Sequence, residues 1–160
     1  AEGPMFYVTN TSVNVDLEEV KFGFAKDAPL AEIVAGDWGE AGKNGGNLVL
    51  NAEQQHLEGD IVVDAISSVK IDMGSKVTYK GAINPNKQGT AVVVMDKTSK
   101  WTLAADSYLE SIQFEKTVEK GIKQINSKGY NIYYNPKNPA NAALAGKTYP
   151  LKGGGLLLTY

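Results

Sequence analysis

Few residues of this 160-residue chain are of types that could do chemistry: one histidine, a spaced set of acids, and a tryptophan among glycines. His56 is the single imidazole and lies in the polar stretch Glu53-Gln54-Gln55-His56. One imidazole cannot build a multi-histidine metal site or a catalytic triad of its own, and Ser67, Ser68 and Ser107 have no base beside them in sequence. His56 therefore reads as a surface residue. Asp16, Asn51, Asp72 and Asp96 each close an apolar run, and a repeat would stack them in one column. Such a column could attract Ca²⁺, or recruit the carboxylates that polysaccharide lyases and hydrolases use. A catalytic pair, however, needs acids in contrasting environments converging on a cleft, and a repeat gives each acid the same surroundings. The four read as a turn ladder, each side chain serving its own corner. No catalytic residue, no metal site and no cofactor is expected.

Trp38 lies in the stretch Gly36–Gly46, which carries five glycines. An indole face on a projecting loop can stack on a sugar ring, with Asp37, Glu40 and Asn44 as hydrogen-bonding neighbours. The competing reading folds Trp38 back to plug the loop onto the body of the protein. The loop lacks the Lys-Ser/Thr ending that a phosphate-cradling glycine loop requires.

The elements that must position these residues are written as a repeat. Asn47-Leu48-Val49-Leu50-Asn51, Val69-Lys70-Ile71-Asp72 and Val92-Val93-Val94-Met95-Asp96 are three versions of one run. A second apolar position follows each, at Leu57, Val77 and Trp101, after gaps of six, five and five residues. The steps between corners are 21 residues (Asn51 to Asp72) and 24 (Asp72 to Asp96). A period of about 20–25 residues holding two or three short strands is the mark of a solenoid. A strand of alternating apolar residues buries one face only, so a lone turn has no core, whereas stacked turns close a continuous one. We read an all-β chain, a right-handed parallel β-helix (solenoid) with a C-terminal cap; the alternative is an antiparallel sandwich of the same strands. Val15, Leu50, Ile71 and Met95 are expected to form one inward column.

Composition fits one folded domain, with 42% hydrophobic and 21% charged residues. A net charge of −2, with all 16 basic residues lysine, argues against specific nucleic-acid recognition, for which arginine is the usual bidentate reader. There is no cysteine, hence no disulfide framework. No apolar run approaches 18 residues, so no membrane insertion is expected. The sequence opens on Ala1-Glu2-Gly3-Pro4, without an initiator methionine or signal peptide, as a mature chain or an excised piece of a longer one would.

Taken in order, residues 5–24 read as strand, turn, strand, turn, strand, with Asp16 in the place of Asn51 and Val20 in the place of Leu57. This copy begins near the N-terminus with no polar cap before it. Solenoid ends need covering, so an open N-terminal edge implies further turns or a partner. Residues 30–35 and 61–66 supply strands, and the projecting loop at 36–46 accounts for the long step of 35 from Asp16 to Asn51. Residues 115–127 are ambiguous: Val118, Ile122 and Ile125 have helical spacing, while glycine and serine interruptions favour irregular strand. Trp101 reads as inward-facing. Tyr130, Tyr133 and Tyr134 lie on a strand and read as an exposed strip or as cap packing. Thr9 and Thr11 are not repeated, which sets aside an ice-binding threonine ladder. Turns over 1–134 and a cap over 135–160, rich in proline and glycine, complete the single domain.

The motifs Phe6-Tyr7-Val8-Thr9-Asn10, Trp38-Gly39, Gly45-Gly46-Asn47, Lys100-Trp101-Thr102-Leu103, Asp106-Ser107-Tyr108 and the stretch from Lys147-Thr148-Tyr149-Pro150 to Gly155 carry a resemblance. The chain resembles the C-terminal part of right-handed parallel β-helix surface proteins of bacteria, pertactin-like or adhesin-like. The resemblance implies a secreted or cell-surface location and an elongated shape, and it transfers no active site. The expected function is a non-enzymatic structural or adhesive module that presents loops and self-associates, or continues into further turns, at its N-terminal edge. A carbohydrate-binding module taking a glycan on the Trp38 loop is the alternative, and a polysaccharide lyase a more remote one.

Overall fold

Short strands that each bury one face stack in parallel, and the stack, described over residues 3–160 of a computed structural model, is an all-β solenoid of about seven turns. The first turn carries β1 (Phe6–Val8) and β2 (Thr11–Glu18); the second β3 (Ala31–Ile33), β4 (Gly46–Glu53) and β5 (His56–Glu58). The third carries β6 (Ile61–Val63), β7 (Ser68–Met73) and β8 (Thr78–Lys80), the fourth β9 (Thr90–Met95) and β10 (Lys100–Thr102). Then follow β11 (Ser107–Leu109), β12 (Ser111–Phe114) and β13 (Ile125–Asn126), and finally β14 (Ile132–Tyr134), β15 (Tyr149–Pro150) and β16 (Leu156–Thr159).

Three walls result. One runs β2-β4-β7-β9-β12, a second β5-β8-β10-β13, and the third β1-β3-β6, continued through Ile83 to β11-β14-β16. Pairing is parallel throughout these walls, as stacked turns require, and only β15 on β16 is antiparallel. Inward positions alternate with outward ones, so β4 reads buried-exposed along its length and Leu50, Ile71 and Val93 are wholly enclosed. The two largest core side chains find partners for their polar atoms. Trp101 Nε1 donates to the Gly81 carbonyl at 2.8 Å and the Tyr79 hydroxyl to the Gly59 carbonyl at 2.8 Å. Their rings stack at 6.1 Å, and burial pushes the Tyr79 hydroxyl well above its ordinary pKa.

The register corrects the expected columns. Val15, Leu50 and Ile71 do align, but the next member is Val93, while Met95 pairs with Met73. In the second wall Leu57 and Trp101 align with Tyr79, not Val77. Each error is a shift of two residues. Such a shift keeps every side chain on its proper face, so alternation alone cannot detect it; side-chain size across the stack decides, Met73 lying on Met95 and Val69 on Ala91. The acid ladder changes accordingly. Asp16, Asn51 and Asp72 share a row, but Val94 follows them, and Asp96 lies outside it. Nor do Asp16, Asn51 and Asp72 serve corners. They sit inside strands, facing outward, and only Asp96 serves a corner, accepting from the Thr98 and Ser99 amides at 2.7 and 2.8 Å.

Two further expectations are revised. Residues 20–24 are not a regular strand; their backbone is held by the Gln55 side chain, which accepts from Val20 N–H at 2.8 Å and donates to Val20 O at 2.6 Å. Residues 115–127 are not irregular strand throughout: Val118–Gly121 form one α-turn (α1) and Ile122–Gln124 a 3-10 turn before β13. The helical spacing of Val118 and Ile122 won because both lean on the core.

Residues 135–160 close the far end of the stack. A 3-10 helix, Pro139–Leu144, lies across β12, with Leu144 enclosed and Asn141 Oδ1 accepting from the Ile112 amide at 3.0 Å. β16 then extends the third wall beyond β14, and β15 folds back on it. At the near end the expected span of turns, 1–134, includes Ala1 and Glu2, which lie outside the described residues.

Candidate functional site

The glycine-rich loop leaves the stack after β3 and returns at β4, and its base is built to be rigid. Gly46 lies so close to β1 that a Cβ there would run into the Val8 carbonyl and stand 2.9 Å from Ile33 Cγ2, so only glycine lets the chain re-enter the wall. Asp64, just past β6 in the next turn, holds the start of the loop, accepting from Ala35 N–H at 2.6 Å and from its own turn's Ile66 N–H at 3.2 Å. Burial pushes its carboxyl up, but bonds from Ser67, Ala35 and Ile66 outweigh this and hold it below the ordinary value.

Of the four residues expected to form a site, three reach solvent and one does not. Trp38 is 61% exposed, so it does not plug the loop onto the stack. Asp37 and Glu40 are exposed beside it, Glu40 paired with Lys43 at 2.8 Å. Asn44 is buried: its Nδ2 donates to Gly36 O at 2.8 Å and Trp38 O at 3.1 Å, and its carbonyl accepts from Asn10 N–H at 3.1 Å. Asn44 shapes the loop from within, leaving Trp38 and Asp37 as the surface a ligand would meet.

Elsewhere the structure gathers groups that sequence order keeps apart. His56 Nδ1 lies 2.7 Å from Thr78 Oγ1, and its Nε2 lies 2.8 Å from Glu58 Oε1. The signal was the 22-residue step that places His56 and Thr78 in register on β5 and β8. Hydroxyl, imidazole and carboxylate follow one another on the outer face of β5 and β8, with β5 at the edge of its sheet. Glu58 also borders an open cleft under residues 24–29, where Lys26 and Lys80 face Asp27 and Asp60. Asp60 is already engaged, accepting from the Ala82 amide at 2.8 Å.

The three tyrosines do not share one exposed strip: Tyr130 is 41% exposed but precedes β14. Tyr134 is enclosed, and Tyr133 stacks on Tyr108 at 4.8 Å with the rings 7° from parallel. The other side of Tyr108 meets Lys87 Nζ at 5.5 Å, and Tyr160 stands edge-on at 6.4 Å.

The largest asymmetry lies between the two ends of the stack. At the far end, helix and strand cover the last turn. At the near end β2, eight residues long, pairs with β4 alone among the described residues, so its other edge keeps its backbone groups free. Val13 and Val15 on that strand are only half-buried, and Tyr7 and Val20 nearby are 56% and 41% exposed.

Stacked parallel walls, one covered end and one bare edge define a parallel β-solenoid with a rigid projecting loop. Comparison with protein-family models, curated proteins and solved structures gave no match.

Proposed function

We propose that this chain is a non-enzymatic structural or adhesive module of a secreted or cell-surface protein, which presents its loops on a stiff stack and docks another strand at its N-terminal edge. The observation that carries the reading is the bare edge of β2 opposite a covered far end. Natural sheets blunt or cover long edges, because a row of free amides and carbonyls is a template for pairing. An eight-residue edge with half-buried valines is long enough to take a strand by β-augmentation, main chain supplying affinity and alternate side chains supplying specificity. The location and the adhesive role rest on the sequence motifs that resemble bacterial β-helix surface proteins. Light scattering after size exclusion, over a concentration series, tests the docking edge: growth beyond the monomer that disappears when Val13 and Val15 are replaced by lysine supports it, and a monomer throughout, with β2 amides exchanging freely, refutes it.

The exposure of Trp38 favours a second reading, a carbohydrate-binding module. The rigid loop holds the indole away from the stack with Asp37 beside it, which suits stacking on a sugar ring. Glycan-array binding lost in Trp38→Ala, with thermal stability and assembly unchanged, would select it.

A further inference from the structure

The outward rows of the second and third turns follow a rule. In the wall β2-β4-β7, Ser12, Asn47 and Ser68 form one row and Asp16, Asn51 and Asp72 another. Hydroxyl or carboxylate alternates with amide in both. The bonds follow: Asn51 Nδ2 donates to Asp16 Oδ1 at 2.8 Å, Asn47 Nδ2 to Ser12 Oγ at 3.3 Å, and Ser68 Oγ to Asn47 Oδ1 at 2.7 Å. An amide donates to an acid or hydroxyl and accepts from a hydroxyl, whereas carboxylate directly on carboxylate repels; Asn51 gives its bond to Asp16, and among the described residues no bond joins it to Asp72.

Strand β2 repeats β7. Ser12-Val13-Asn14-Val15-Asp16-Leu17 matches Ser68-Val69-Lys70-Ile71-Asp72-Met73 at every position but one in character, Asn14 replacing Lys70. On its N-terminal side β7 receives β4, whose Asn47 and Asn51 stand over Ser68 and Asp72 while Leu48 and Leu50 cover Val69 and Ile71. On its own N-terminal side β2 has no neighbour among the described residues. The free edge thus offers the same serine for an asparagine to bond, the same acid facing the second asparagine and the same apolar row that β4 meets one step along.

We propose that the bare edge of β2 takes a parallel strand carrying Asn-x-x-x-Asn on its outer face and aliphatic residues at the positions just inside each asparagine. The proposal rests on the docking-edge reading and specifies its partner. The first asparagine would stand over Ser12 and the second over Asp16, with the inner side chains closing over Val13 and Val15. An acidic partner strand is excluded by Asp16, and a strand with polar inner residues by the valines.

The test uses the full chain and a labelled peptide copying residues 46–53 (Gly-Asn-Leu-Val-Leu-Asn-Ala-Glu) with a soluble tail, followed by fluorescence anisotropy. The expected result is saturable binding that weakens about tenfold or more when both asparagines of the peptide are changed to aspartate, since one polar contact to a charged group is worth roughly that factor. Asp16→Lys in the protein, checked for unchanged circular dichroism, should reverse the preference and restore the aspartate peptide. Binding should also slow exchange of the β2 amides. Equal binding of both peptides, or a preference untouched by Asp16→Lys, overturns the proposal. If the chain self-associates through β2 but ignores the peptide, the strand pattern is wrong and the docking edge survives. If β2 stays unprotected with peptide and at every concentration, both fall.

Discussion

Asn44→Ala separates a loop that is a preformed site from one that merely hangs from the stack. The side chain is buried and its amide holds two carbonyls of the loop, Gly36 O at 2.8 Å and Trp38 O at 3.1 Å. Each neutral bond of this kind contributes about 0.5–1.5 kcal/mol net, so the pair is worth about 2 kcal/mol. The loop stands outside the walls, and its loss leaves the core untouched, so the cost falls on local opening and not on global unfolding. A change of about 2 kcal/mol multiplies the open population roughly 30-fold. Native-state hydrogen exchange reads this directly at the Lys43 amide, which is bonded to Glu40 O at 2.9 Å, and at the Asn10 amide, bonded to Asn44 O at 3.1 Å. Both should exchange about 30-fold faster in the variant while amides of β7 and β9 keep their protection. Were the loss global instead, Tm would fall by about 4–8 °C. Unchanged protection at Lys43 refutes the reasoning, because the loop would then owe its shape to something other than Asn44.

Two further outcomes follow from buried polar contacts. Trp101→Phe keeps an aromatic ring but removes the donor to Gly81 O, leaving a buried carbonyl unpaired beside a smaller ring, and should cost about 2–4 kcal/mol in urea unfolding. Acid should weaken the loop base through Asp64. Its folded pKa is depressed, so the stability it contributes is present above the unfolded value, 3.8, and is lost as pH falls through the folded value. Asp64→Asn should therefore flatten the decline of Tm below about pH 3.8 and, since the group is half-exposed, cost only about 1 kcal/mol at neutral pH, as thermal melts over a pH series would report.

What the sequence disclosed of the fold depended on face, and what it concealed depended on register. Alternation over Val13, Val15 and Leu17, and again over Leu48 and Leu50, marks which side of each strand is buried, and the recurrence of such runs marks a stack. Two-residue slips leave that pattern intact, which is why Asp96 and Met95 could be laid in the wrong rows. The loop was legible from its glycines, but the role of Asn44 was not: nothing in Lys43-Asn44-Gly45 says whether the amide turns outward to a ligand or inward to Gly36 O and Trp38 O. Likewise His56, Glu58 and Thr78 meet only because β5 and β8 are paired, a fact of stacking and not of local sequence.

Stacking also explains why one edge can hold information about the strand that would pair with it. In a solenoid each strand contacts only the layers above and below, so its pairing preference is a nearest-neighbour property. A strand inside the stack has that preference met; an end strand of the same sequence keeps it open. β7 shows what the sequence Ser-Val-x-aliphatic-Asp accepts on its N-terminal side, namely the asparagines and leucines of β4. β2 carries the same residues at the same spacing, with one layer fewer beside it. Had the edge been shaped to stay bare, lysine or proline facing it, or a bulge, would be expected, since natural sheets blunt exposed edges in these ways. Thr11–Glu18 instead holds no lysine and no proline, and its inner row is valine, valine and leucine. An edge kept in pairing condition is a physical reason to look for the strand that completes it.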